Sequence, residues 1–197
     1  MLSSERIMQS LEFINISNDE FTIFEWKPPR SYKSYVLDLN ILKKNSSKGI
    51  FFHIHKGNMK IVYIRSGRLI YVAGSDLNIQ FQLLEALIEE ILKRFNNIYD
   101  IDSYLSYGKF SSNLFDSFKP IVEQVITNFK KLNLVKQINV LCKVCNKVLP
   151  LIVKKNFIEN AESHPVPVVY THEGHAILCF IDKNFDVRGV ELVNITG

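Results

Sequence analysis

Apolar residues recur along this chain with two different periods, and the change from one to the other marks out its elements. GIFFHIH, MKIVYIR and RLIYVAG, starting at Gly49, Met59 and Arg68, are rich in β-branched and aromatic residues. Lys56-Gly57-Asn58 and Ser66-Gly67 interrupt them. Short runs of this kind between turn residues predict an antiparallel meander. The period then lengthens. Phe81, Leu84, Leu87, Ile88, Ile91 and Phe95 fall at helical spacing, with Glu85, Glu89, Glu90 and Lys93 on the other side. An amphipathic helix from about Leu77 to Phe95 is predicted, with Asp76 as its cap. A second helix should begin near Ser111 or Ser112 and bury Leu114, Phe115, Phe118, Ile121, Val122, Val125 and Phe129. Pro120 lies inside it and lacks a backbone donor, so the helix should kink there or begin nearer Ser117.

Either side of this block the pattern is weaker. EFTIFEW (Glu20 to Trp26) alternates like a strand and is stopped by Pro28-Pro29; SYVLDLNIL (Ser34 to Leu42) reads as another. Ser3 to Phe13 offers Ile7, Met8 and Leu11 as the apolar side of a short helix. After Leu132, NLVKQINVLC leads into a part with shorter, strand-like runs: VVYT, AILCFID, then FIDKNFDVRGVELV as strand, Lys-Asn turn and strand. A boundary near 134–138 is expected, giving an α+β domain over residues 1–135 and a small β-rich module over 136–197. The fold class is therefore α+β, an antiparallel sheet with packed helices plus an appended β-rich unit.

The run from Lys60 to Phe129 resembles longin domains, members of the roadblock-longin superfamily. The resemblance rests on Leu69 to Asp76 (family type "riVYlcitD"), on Leu83 to Phe95 ending in "LKRF" (family "ikkRF"), and on Phe110 to Leu114, FSSNL (family "FSs.l"). It spans roughly seventy residues and consists mostly of apolar spacing. Longins begin with two strands and a helix before the meander; the strands can be read here, but no helix between Leu42 and Gly49. No SNARE heptad or membrane anchor follows the last helix, which argues against a SNARE role. The resemblance implies a domain without catalytic apparatus. Its surfaces would bind a small GTPase, another longin or roadblock-type domain, or a second copy as a homodimer.

Composition adds limits. The 197 residues are 47% hydrophobic and 22% charged, enough for a substantial core. No segment approaches the ~20 uninterrupted apolar residues of a spanning helix. MLSSERIMQS lacks the charged and apolar regions of a secretory signal. Three cysteines suit a reducing cytoplasm better than a disulfide framework. A cytoplasmic protein, peripheral to membranes at most, is expected. The net charge of +4 comes from scattered lysines, so nucleic acid is not the expected partner.

Candidate chemistry gathers near the C-terminus. LCKVCNKVLP places Cys142 and Cys145 at knuckle spacing, and VVYTHEGHAILC places His172 and His175 around Glu173-Gly174. Zinc takes four nitrogen or sulfur ligands, delivered in pairs by tight turns. If Glu173-Gly174 is a two-residue hairpin turn, the two histidines stand opposite each other with Cβ atoms ~4.5–5.5 Å apart. A structural zinc held by Cys142, Cys145, His172 and His175 is therefore expected. Twenty-six residues separate Cys145 from His172, so the spacing is not that of a classical finger. His164 is a rival ligand. Cys179 is expected in the core. Asp182, Asn184 and Asp186 superficially suggest a calcium loop, but Val187 and Val193 stand where glycine and glutamate are required.

His53 and His55 alternate on a strand and read as an edge pair. No phosphate-binding, nucleophile-elbow or metalloprotease motif occurs. The expectation is a non-catalytic adaptor or scaffold in membrane-trafficking-like processes, with a structural zinc module. The alternative is a nucleic-acid-associated zinc ribbon, for which Lys143, Lys147, Lys154 and Lys155 offer a partial basic set beside Glu162 and Glu173. A hydrolase built on His172 and Glu173 would need an open metal position.

Overall fold

A computed structural model describes residues 3–29, 47–106, 113–172 and 174–193. It is α+β, with antiparallel sheets and several helices. The chain divides into two compact units, Met1–Leu132 and Asn133–Gly197.

The first unit opens with α1 (Ser4–Ser10), whose first turn is capped by the Ser3 hydroxyl accepting from the Arg6 N–H. The chain then enters β1 (Leu11–Ser17), where a continuous helix to Phe13 is expected. The difference has a physical cause. β1 is paired on both edges and buried on both faces, so LEFINIS shows none of the alternation that betrays a half-exposed strand. β2 (Thr22–Trp26) follows. The predicted strand Ser34 to Leu42 lies outside the described residues.

The meander is β3 (Phe51–Lys56), β4 (Met59–Ser66) and β5 (Leu69–Asp76), as its residues predict. The sheet runs β2-β1-β5-β4-β3, antiparallel throughout. β2 pairs with its sequence neighbour β1 and β3 with its sequence neighbour β4, so the sheet is closed by the long-range pairing of β1 with β5.

The central pair contains a close approach. Gly74 stands opposite Phe13, and a Cβ on Gly74 would lie 2.7 Å from Phe13 Cζ and nearer still to Cε1. Phe13 is itself buried with Ile61, Tyr63, Ile70 and Val72. Gly74→Ala is expected to destabilise the unit by about 1–3 kcal/mol through overpacking, read as a lower denaturant midpoint with an unchanged slope.

Helix α2 (Phe81–Ile98) packs on β4 and β5. It starts four residues later than expected because Asp76 is engaged elsewhere: its carboxylate accepts from the backbone and side chain of Asn78 and holds a turn. α3 is Ile101–Ser106. One 3₁₀ turn, Asp116–Phe118, then feeds α4 (Lys119–Thr127), which places Pro120 in the first turn, where its missing donor costs nothing. A short α5 (Phe129–Leu132) ends the unit. Phe95 sits among Tyr99 (4.9 Å), Phe118 (5.0 Å), Phe115 (5.5 Å) and Tyr71 (6.2 Å), measured between ring centres.

The second unit has two sheets: the hairpin β6 (Val135–Cys142) and β7 (Lys147–Lys154), and the three-stranded order β10-β9-β8. A short α6 (Lys155–Glu159) follows β7. β8 is Val166–His172, β9 is His175–Ile181 and β10 is Val187–Val193. Ile138, Val140, Leu149, Leu151 and Val153 from the hairpin share one core with Val166, Val168, Tyr170, Ile177 and Ile181. Tyr170 ties the sheets together, its hydroxyl donating to the Ile152 carbonyl at 2.8 Å.

Candidate functional site

The two ligand pairs are carried by two hairpin turns of the second unit. At the first, Cys142 ends β6 opposite Lys147, and residues 143–146 make the turn, with Asn146 in the left-handed region at φ 55°. Cys142 is fully buried and Cys145 half-buried, and both pack on the shared core. At the second, His172 pairs directly with His175 across Glu173-Gly174, with Gly174 at φ 79°. The register therefore opposes the backbone positions of the two histidines. The side chains of His172 and His175 lie outside the described residues.

The second unit is anchored at its other end. Lys136, near the start of β6, donates to the Asn184 carbonyl at 3.1 Å and lies 4.8 Å from the centre of the Phe185 ring. These belong to the β9–β10 turn. His175 begins β9 at the end remote from that turn, and Cys142 ends β6 at the end remote from Lys136. Among the described residues, no three His, Cys, Asp or Glu side chains gather as a metal site.

The rivals occupy other roles. His164 forms a 2.9 Å hydrogen bond through Nε2 with the Ile158 carbonyl. Cys179 is fully buried in the core, and burial pushes its thiol up to about 11, which keeps it protonated and unreactive. The Asp182 carboxylate is filled by its own loop, accepting from the N–H groups of Asn184 (2.8 Å) and Asp186 (2.9 Å) and from Arg188 Nε (2.7 Å).

These donors, the Asp186 N–H first among them, hold the Asp182 carboxyl below the usual carboxylate range. A depressed folded value means stabilisation that is present above the unfolded value near ~3.9 and lost as the pH falls through the folded one. Asp182→Asn should therefore melt below wild type at neutral pH. The gap between the two melting temperatures should narrow as the pH falls below the unfolded carboxylate value of about 3.9.

In the first unit the sequence reading of His53 and His55 as an edge pair on β3 holds, but their partners are not visible in sequence. His53 Nε2 lies 2.8 Å from Glu85 Oε1, and its ring stacks on Phe81 at 4.3 Å; His55 meets the same ring edge-on at 5.0 Å. Lys60 sits 5.4 Å over Phe81 and donates to the carbonyls of Leu77 and Ile79. Glu85 is buried although helical spacing assigns it to the solvent side. Only the 32-residue closure of β3 onto α2 explains why. A polar hollow of about 570 Å³ lies between the β4–β5 turn and the end of α2, bordered by Arg68, Asn96, Asp100 and Asp102.

No protein-family model matches this chain, and no curated protein matches its sequence significantly. Among the described residues, no helix is long and apolar enough to cross a membrane.

Proposed function

We propose that this chain is a non-catalytic adaptor whose first unit is a longin-type interaction domain and whose second unit is stapled by a structural zinc. The observation that carries the first half is the order of elements: two strands, a three-stranded meander, a long amphipathic helix, a connection and a second helix. The part from the meander to the second helix is the order on which the Lys60 to Phe129 run resembles longins, and the two strands ahead of it match the way longins begin. β2 and β3 end the sheet among the described residues, and edge strands are a usual docking surface of such domains. The partner is a small GTPase or another longin or roadblock-type domain, in membrane-trafficking-like processes in the cytoplasm. Capture of small GTPases loaded with a GTP analogue, but not with GDP, is the expected outcome of a pull-down. Retention of neither form, together with a monomeric chain that binds no longin or roadblock domain, would refute the adaptor reading.

The zinc half rests on two turns that each present a ligand pair, with position 172 in phase with the inward-facing Val166, Val168 and Tyr170. Four protein ligands close the coordination sphere, so the metal's part is structural. Its use is to staple a unit of some sixty residues with a thin core.

A further inference from the structure

The β6–β7 hairpin ends in an apolar tip flanked by two exposed lysines, and we propose that this tip docks on anionic membrane surfaces. Leu141 and Val148 face each other directly across the hairpin, on the side opposite the buried Cys142 and Leu149. Val144 stands in the turn between them. The three are 49%, 63% and 45% exposed. One exposed aliphatic side chain requires no explanation, but three within the eight residues 141–148 at one end of a hairpin do.

Charge selects the occupant. No Asp or Glu occurs between Glu123 and Glu159. Of the hairpin's lysines, Lys154 is buried and Lys136 reaches Asn184 at the far end, which leaves Lys143 and Lys147 as the charge of the tip. Lys143 and Lys147 bracket Val144 at the tip and are both exposed. The stretch 133–154 contains no arginine and no aromatic residue. A nucleic-acid surface draws on stacking rings and on the planar fork of arginine. Leu141, Val144 and Val148 gain nothing from a phosphate backbone. At a bilayer surface the same residues divide naturally, with the aliphatic trio at the acyl boundary and the two ammonium groups among anionic headgroups. The turn is short, so its backbone polar groups stay at headgroup depth and need no partners in hydrocarbon. Binding by so small a wedge is weak and reversible, which suits an adaptor recruited by two signals at once. The proposal stands on the hairpin and does not depend on the zinc or GTPase readings.

The test is co-sedimentation of the full chain with phosphatidylserine-rich vesicles, compared with phosphatidylcholine vesicles. Wild type should bind the former and lose binding in high salt. Lys143→Ala should weaken binding roughly fivefold. Leu141→Thr with Val148→Thr places strand-favouring β-branched residues at both exposed positions and should weaken it roughly tenfold while the circular dichroism spectrum stays unchanged. A second readout avoids reliance on that variant: Val144→Trp should shift its emission to the blue on adding vesicles, against the constant signal of the buried Trp26. Equal binding to both vesicle types, wild-type binding by the threonine variant, an unshifted tryptophan, or lysine-dependent binding to RNA without vesicle binding would each overturn the proposal.

Discussion

Phe95→Ala is expected to cost the first unit about 3–5 kcal/mol, the range for removing a fully buried aromatic side chain. Phe95 is inaccessible to solvent and touches rings from three separate stretches: Tyr71 on β5, Tyr99 just past α2, and Phe115 and Phe118 ahead of α4. Phe118 in turn meets Phe24 of β2 edge-on at 5.3 Å. Truncation therefore opens a void where the sheet, the long helix and the second helix meet, and none of them can close it alone. The check is chemical denaturation followed by Trp26 fluorescence. Trp26 lies on β2 in the same unit, with its indole N–H donating to Glu123 at 3.3 Å. A loss under about 1 kcal/mol would mean that the cluster repacks freely and is not the keystone of the unit.

The second large effect concerns the proposed metal. Structural zinc sites of this type supply on the order of 10 kcal/mol of binding free energy, most of which appears as folding free energy. Elemental analysis should find one zinc per chain, and Cys142→Ser should lose it. The second unit should then melt far below wild type, and a chelator should lower wild type to the same level. Cys179→Ala is the matched control. It also removes a buried thiol from the same core, but should retain zinc and lose about 1–2 kcal/mol. Zinc-free wild-type protein that melts normally, or equal effects of the two substitutions, would remove the metal from the account and leave Cys142 a core residue.

α2 was legible because its outer side is exposed, so apolar residues recur at helical period. The meander was legible because the Gly57 and Gly67 turns punctuate its β-branched runs, even though β5 is as buried as β1. β1 was not, since burial on both faces erases that alternation in LEFINIS. The helix start was misplaced for a chemical reason: Asp76 can cap a helix or hold an Asx turn, and the sequence does not say which it does. Pro120 was more informative. Its missing donor placed the helix start near Ser117, and α4 begins at Lys119 after one 3₁₀ turn. At the candidate site, the spacing H-x-x-H was enough to foresee the His172–His175 pairing, because a two-residue turn admits one register. The His53–Glu85 pair had no comparable signal. It joins residues 32 apart through the docking of a helix on a sheet edge, which local spacing cannot encode.

The position of β3 at the end of the sheet, among the described residues, has a further consequence. Ladder groups left unpaired at the end of a sheet invite any passing strand, and a long apolar border would polymerise. Here His53 and His55 stand on one face of the end strand, committed to Phe81, and the exposed Lys56 stands on the other. An intruding chain would have to strip water from a lysine and break up a packed trio of rings before gaining its first backbone bond. The fold thus guards its own seam, and only a visitor carrying acceptors for that cation gains admission.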